Sequence, residues 1–239
     1  MSGRGIFTTI AIRDDEPFLW QKHWSRLTLA AEKLGIDLAD YSEAAVKDAL
    51  ACKLKNDAIQ NGRAKITFTD ERPSSLWPSS QTPEASTSLA ILIGPKREIP
   101  NNFRVGISPF PVNSRSPLAG LKTTNYLEPT LCFETARAAG FDEAIRVNEK
   151  AYVTSACFAN VFWLKDGTLF TPDLSTGCLA GTTREFIIEK LDVREVTAQL
   201  DALEQADAIF LTSAGIGIVR VASSGEKTFA HDHRILDLK

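Results

Sequence analysis

One lysine stands where amine chemistry could be done. Lys122 lies in Leu118-Ala119-Gly120-Leu121-Lys122-Thr123-Thr124-Asn125-Tyr126, among small residues and just after a Pro- and Ser-bearing linker. Taken alone, such a lysine is an ordinary solvated cation. At the mouth of an interdomain cleft it would lose water, fall in pKa, become a nucleophile at neutral pH and be able to form an imine with a carbonyl. Three other segments could hold an anion. Gly181-Thr182-Thr183 opens a helix whose backbone N–H groups and positive dipole end can face one, although a simple threonine cap gives the same pattern. Arg26 sits one residue before Leu27 and can turn a guanidinium fork inward to phosphate, or remain on the helix surface. Thr212-Ser213-Ala214-Gly215 ends a strand in a small-residue turn, a further anion nest. Each pattern is common by itself, and their combination is what matters.

The elements that must position these residues can be read from period and punctuation. Residues 6–12 alternate like a half-buried strand that Asp14-Asp15-Glu16-Pro17 ends. Trp24, Leu27, Ala31 and Leu34 recur at helical spacing over 21–34, with Gly35 as the stop. Ser42 caps a second helix to about residue 55. Strands follow at 64–69 and 88–93, separated by a Ser- and Pro-rich loop at 70–87 long enough to act as a lid over substrate, with Trp77 within it. After a strand at 103–109 and a linker, a second unit begins. A helix at 127–139 stops at Gly140, and strands are expected at 144–147, 152–154 and 161–164. Asp166-Gly167 is a tight hairpin turn into 168–171. A helix after Gly181 and strands at 208–212 and 218–221 complete the pattern. The expected class is α+β with two domains, 1–110 and 122–239, joined by a linker at 111–121, with the cleft between them and the lysine opening the larger C-terminal domain.

Bulk properties narrow the function. The chain has 239 residues, 44% of them apolar, enough for substantial cores. A net charge of -3 leaves no basic footprint for nucleic acid or an anionic membrane. No apolar run approaches the roughly 20 residues of a membrane span. Met1-Ser2-Gly3-Arg4 has no apolar stretch behind it, so no secretory signal is expected and the location implied is cytoplasmic. Cys52, Cys132, Cys157 and Cys178 are scattered, without a CxxC pair or a histidine at ligand spacing. They are expected to be reduced packing residues, with no metal site. Trp20, Trp24 and Trp163 are expected to pack, and His231 and His233 to lie on the surface.

Four ordered motifs together resemble the class IV, fold-type IV pyridoxal-phosphate enzymes, which include branched-chain and D-amino-acid aminotransferases and 4-amino-4-deoxychorismate lyases. Gly5-Ile6-Phe7-Thr8-Thr9 is similar to the family's first strand, and His23-Trp24-Ser25-Arg26-Leu27 to its phosphate-arginine helix. Leu121 to Leu127 is similar to its Schiff-base segment. Asn160-Val161-Phe162 with Asp166-Gly167, Thr171-Pro172, Gly181 and Arg184 is similar to its longest signature. The match is collinear over nearly the whole chain. The resemblance implies pyridoxal 5'-phosphate held by Lys122, with its phosphate on Arg26, Thr182, Thr183, Thr212 and Ser213. It also implies a small-molecule amine substrate and a homodimer. Within the family, Ser108-Pro109-Phe110 through Lys122, Phe7-Thr8-Thr9, and Cys157 through Trp163 look most like the lyases.

The chain departs from the family at informative places. A glutamate five residues before the signature asparagine normally faces the pyridine nitrogen, and the count from Asn160 reaches Ser155. A hydroxyl can bond that nitrogen but cannot stabilise its charge, so the electron sink weakens and elimination is favoured over transamination. Glu143 and Glu149 are conceivable substitutes, though both are expected to face solvent. At Thr69-Asp70-Glu71, where D-amino-acid transaminases tend to carry a carboxylate-reading Arg-Gly, the aspartate should repel a carboxylate. Arg115 is then the alternative reader, with Thr9 a further substrate contact. The strand and Gly-Asp-Gly turn that usually precede the first motif are missing, which implies a more open pocket on that side. The expectation is a lyase forming 4-aminobenzoate and pyruvate for folate synthesis. A branched-chain or D-amino-acid transaminase is the alternative, and a degenerate cofactor-binding homologue the third.

Overall fold

A computed structural model describes residues 3–72, 86–225, 227–229, 235 and 238. Trp77, His231, His233 and most of the 70–87 loop fall outside the described residues. The chain forms two compact units, Met1–Arg97 with Lys122–Tyr126, and Glu98–Leu121 with Leu127–Lys239.

The first unit is a four-stranded antiparallel sheet covered by helices. Its elements are β1 (Gly5–Arg13), β2 (Glu16–Pro17), α1 (Trp20–Leu34), α2 (Glu43–Asn56), β3 (Gly62–Asp70) and β4 (Thr87–Pro95), with sheet order β2-β1-β3-β4. Period-2 alternation sends Ile6, Thr8, Ile10 and Ile12 inward from β1, and α1 packs on that strand through Leu27, Ala30 and Ala31. Gly35 ends α1 in the left-handed conformation, its N–H returning to Ala31 and Glu32. The Ser42 hydroxyl accepts the Ala45 N–H to start α2.

Lys122–Tyr126 belongs to this unit because it is stitched to β1. The Phe7 N–H donates to the Lys122 carbonyl at 3.0 Å, the Thr124 N–H to Gly5 at 2.9 Å, and Ile6 faces Thr123 in an antiparallel bridge. The division therefore differs from the boundaries expected from sequence. Those put the lysine in the C-terminal domain and the strand near residue 105 in the N-terminal one, where local pattern alone would place them.

The second unit carries β5 (Arg104–Ile107), α3 (Leu127–Ala138), β6 (Glu143–Val147), β7 (Val153–Ala156), β8 (Asn160–Lys165) and β9 (Thr168–Pro172). It continues with α4 (Thr182–Lys190), β10 (Val193–Val196), α5 (Leu200–Glu204), β11 (Ala208–Ser213), β12 (Gly217–Arg220), β13 (Ser223–Ser224) and β14 (Lys227–Thr228). Two five-stranded sheets result, β10-β9-β8-β11-β12 and β14-β13-β5-β6-β7. β5 pairs in parallel with β6, which fixes its membership here. Val161 and Trp163 of β8 join one apolar cluster with Ile145, Val153 and Ala156 of the other sheet, while Phe162 and Leu164 pack with Ile187 of α4. Both faces of β8 are thus buried, and α4 is locked to the sheet that aims its N-terminus. Asp166 and Gly167 both adopt positive φ, as the tight turn between β8 and β9 requires.

Candidate active site

In the first unit the lysine is surrounded by rings and cations. Lys122 Nζ donates to the Tyr126 hydroxyl at 3.0 Å and lies 4.5 Å and 4.6 Å from the centroids of the Phe7 and Tyr126 rings. Those rings meet edge to face at 5.0 Å, forming a fixed corner around the amine. Burial, and then the charges of Arg26 and Lys65, lower the Lys122 pKa from 10.5 to about 7. At neutral pH a large share of this amine is therefore neutral and nucleophilic.

Arg26 is held from the sheet side. Its Nη2 donates to Thr8 Oγ1 at 2.6 Å, and the same oxygen lies 2.7 Å from His23 Nδ1. Burial first, with Arg26 and Lys122 adding to it, lowers the His23 pKa from 6.5 to about 2, so the imidazole is neutral. Thr8 Oγ1 thus accepts from Arg26 and shares a hydrogen bond with the neutral His23 ring at Nδ1. Neither Thr8 nor His23 was assigned a role from sequence. The signal was present in the inward register of Thr8 between Ile6 and Ile10, and in the i, i+3 spacing of His23 and Arg26.

In the second unit, Gly181 caps α4 without a side-chain hydrogen bond, and Thr182 and Thr183 occupy the first turn, both buried. Asn160, the first residue of β8, donates from Nδ2 to the Leu179 carbonyl at 2.8 Å and so fixes the approach to the helix. A Cβ on Gly181 would lie 2.0 Å from Asn160 Oδ1, so any larger residue must displace the Asn160 amide or the helix start. Thr212 is the cross-strand partner of Asn160. It is fully buried, and its Oγ1 has no hydrogen-bond partner among the described residues, a costly arrangement for a hydroxyl unless a ligand completes it. Ser213 beside it is half-buried. An uncapped helix start, two buried threonines and an orphaned hydroxyl fit a phosphate. Arg184 serves the fold instead, donating to the Pro172 carbonyl at 2.9 Å and pairing with Glu195.

Ser155 lies on β7, directly opposite Arg146 of β6, and is half-buried. The expectation that Glu143 faces solvent is overturned, because Glu143 is fully buried. Its Oε2 accepts the Cys157 N–H at 3.0 Å and its Oε1 the Phe158 N–H at 3.1 Å, holding the turn between β7 and β8. The carboxylate is thus committed to the backbone and does not replace the missing glutamate. Burial raises its pKa from 4.5 to about 7 against hydrogen bonds from Cys157, Ala144 and Phe158. A raised folded pKa contributes stability that is complete below pH 4.5 and is lost as pH rises through about 7. Glu143→Gln should therefore flatten that part of the stability–pH curve. Because its amide NH2 would face a backbone N–H, it should also cost about 1–3 kcal/mol at mildly acidic pH, where the wild-type contribution is still present, measurable by denaturant melts. Glu149 is exposed, as expected, and accepts from Ser114 N and Oγ.

Arg115 is exposed and its N–H bonds Asn113, while Thr9 is half-buried opposite Lys65 on β3. Asp70 is not a bare repelling charge. Arg72 Nε bonds it at 2.9 Å and Arg4 Nη1 at 3.3 Å, and the Arg72 hydrogen bond holds its pKa below the usual value. All four cysteines are free. Cys52 is exposed rather than packed, whereas Cys132 and Cys157 bring their sulfurs to 3.0 Å. Trp20 and Trp163 are buried, as expected of packing residues.

This architecture is the fold-type IV aminotransferase fold, mixed in helix and sheet. The chain belongs to the amino-transferase class IV family, whose model matches residues 5–224. It is 29% identical over 227 residues to the aminodeoxychorismate lyase of Bacillus subtilis, covering 91% of this chain and 76% of that protein. It is also 28% identical over 236 residues to a probable branched-chain-amino-acid aminotransferase of Rickettsia felis, covering 92% and 78%. The crystal structure of 4-amino-4-deoxychorismate lyase from Pseudomonas aeruginosa matches with a TM-score of 0.79 at 28% identity, over 95% of this chain and 86% of that one. Family members of both kinds depend on pyridoxal phosphate. No helix of the described residues is long and apolar enough to cross a membrane.

Proposed function

We propose that the protein is a pyridoxal-phosphate-dependent lyase that converts 4-amino-4-deoxychorismate to 4-aminobenzoate and pyruvate, a step of folate synthesis. The observation that carries the cofactor reading is the Lys122 amine, desolvated to a pKa of about 7 beside Tyr126 and Phe7. Lys122 would hold the cofactor, with Arg26, Thr182, Thr183, Thr212 and Ser213 taking its phosphate. When bound, pyridoxal phosphate supplies an aldehyde that condenses with amines and a ring that draws electrons from the adjacent carbon. Lys122 takes the proton from the amine-bearing carbon of the substrate and returns a proton as the enolpyruvyl group departs. The Tyr126 hydroxyl orients that amine, and the neutral His23–Thr8 pair keeps Arg26 extended without adding charge. Thr9 and Arg115 are the proposed substrate contacts, and the working form is a cytoplasmic homodimer.

Ser155 supports the lyase over the transaminase. With Glu143 committed to backbone N–H groups, no carboxylate is supplied from β6 or β7 to a ring nitrogen at Ser155. Gain of aromaticity in the product offsets a weak electron sink, an advantage a transaminase lacks. The test is pyruvate release from aminodeoxychorismate by the reconstituted protein with no keto acid added. Release at a steady rate is expected. Glutamate formation that depends on 2-oxoglutarate, with no pyruvate from aminodeoxychorismate, would assign the transaminase, the reading that the Rickettsia felis relative favours.

A further inference from the structure

The charge nearest to Ser155 on its own sheet is a buried cation. Arg146 and Ser155 are direct partners in the antiparallel β6–β7 ladder, so their side chains leave the same face, with Cβ atoms about 5 Å apart. Ile145 and Ala156, their neighbours in the ladder, point the other way into the large apolar cluster. Arg146 is 6% exposed, and its Nε has no hydrogen-bond partner among the described residues. Its Nη2 pairs with Glu128 at the start of α3, but the Glu128 side chain is 65% exposed, so water screens the anion more than the cation. The other ionisable groups on this side include Cys132, whose thiol pKa is lowered chiefly by its hydrogen bond with Cys157 and further by the Arg146 charge. Glu143 is bonded to the turn after β7, and Cys132 and Cys157 face each other.

We infer that Arg146 is a specificity-determining residue that keeps the cofactor's ring nitrogen unprotonated, with the Ser155 hydroxyl donating to that nitrogen. The inference rests on the proposed function, which puts the ring nitrogen at Ser155. A guanidinium beside a pyridine disfavours its protonated form, and a hydroxyl donor bonds only the neutral nitrogen. An unprotonated ring stores carbanion charge poorly. It therefore selects reactions that pass the electrons straight to a leaving group, and it penalises those that must hold them while a proton is moved. The chain thus does more than lack a carboxylate at this position. It sets an arginine, paired with an exposed glutamate, beside the hydroxyl.

The test is nitrogen NMR of the holoenzyme reconstituted with cofactor labelled isotopically at the ring position, read at neutral pH. The wild-type resonance should lie at the neutral-pyridine position and stay there in Glu128→Gln and in Arg146→Lys, which keep the cation. It should move upfield to the pyridinium position in the double variant Ser155→Glu, Arg146→Leu. A wild-type resonance already at the pyridinium position overturns the inference, and that measurement needs no variant to fold. A resonance that moves in Glu128→Gln as far as in the double variant overturns it too, because Arg146 would then act only through its ion pair. Failure of borohydride to fix the cofactor on Lys122 sinks the proposed function instead, so the two failures are distinguishable.

Discussion

Lys122→Ala is expected to abolish borohydride-stable attachment of the cofactor and to lower turnover by about 10²–10⁴-fold, the usual contribution of a positioned acid–base group. The loss should fall on turnover more than on cofactor retention, because the proposed phosphate contacts remain. The same variant has a signature without cofactor. In the folded chain the lysine pKa is about 7, against 10.5 ordinarily. Between those values the unfolded chain binds more protons, so stability rises with pH across this window. The contribution is complete above 10.5 and is lost as pH falls through about 7. Lys122→Ala should remove that slope, leaving the apoprotein more stable than wild type at neutral pH. Denaturant melts of the two apoproteins at several pH values check it, and parallel curves would mean that the amine is solvated.

Gly181→Ala is the second large effect. Gly181 needs no unusual φ, and the obstacle is space, since the added methyl would fall 2.0 Å from Asn160 Oδ1. Either Asn160 gives up the Leu179 carbonyl or the first turn of α4 moves away from Thr212. Overpacking of this kind costs about 1–3 kcal/mol. If the displaced N–H groups lose the phosphate, cofactor affinity should drop by about tenfold or more, since each 1.4 kcal/mol is a factor of ten. Gly94→Ala is the control. Its added methyl meets nothing within 4 Å, so its melting curve should stay within about 0.5 kcal/mol of wild type. Unchanged stability and cofactor retention in Gly181→Ala would show that the helix start does not approach Asn160 so closely.

Elements with local punctuation were legible in the sequence. Ser42, Gly35 and Asp166-Gly167 each supply their own stop or turn chemistry, and α1, α2 and the β8–β9 hairpin formed as the residues indicate. β10 and the short α5 were not foreseen. Val193–Val196 is exposed or half-buried along its length and is a strand only because β9 pairs beside it. At the site, Lys122, Arg26 and the Gly181 helix start could be singled out because their types carry chemistry. Thr8, His23 and Asn160 stood out only as members of motifs, and the role of each became visible with its hydrogen-bond partners. Glu143 was misplaced for the same reason. Its neighbours in sequence suggest a solvent-facing connection, whereas its surroundings are set by the turn after β7.

The stitching of the lysine segment to β1 has a consequence for how the protein comes into being. The nucleophile reaches its setting through backbone pairing between positions near the start of the chain and near its middle, a contact of long sequence separation whose loop-closure entropy must be met before it forms. During synthesis the four strands and two helices of the first unit can assemble while the reactive amine has yet to emerge. A fragment ending at Arg97 would lack Lys122 and the strand-like segment that pairs with β1.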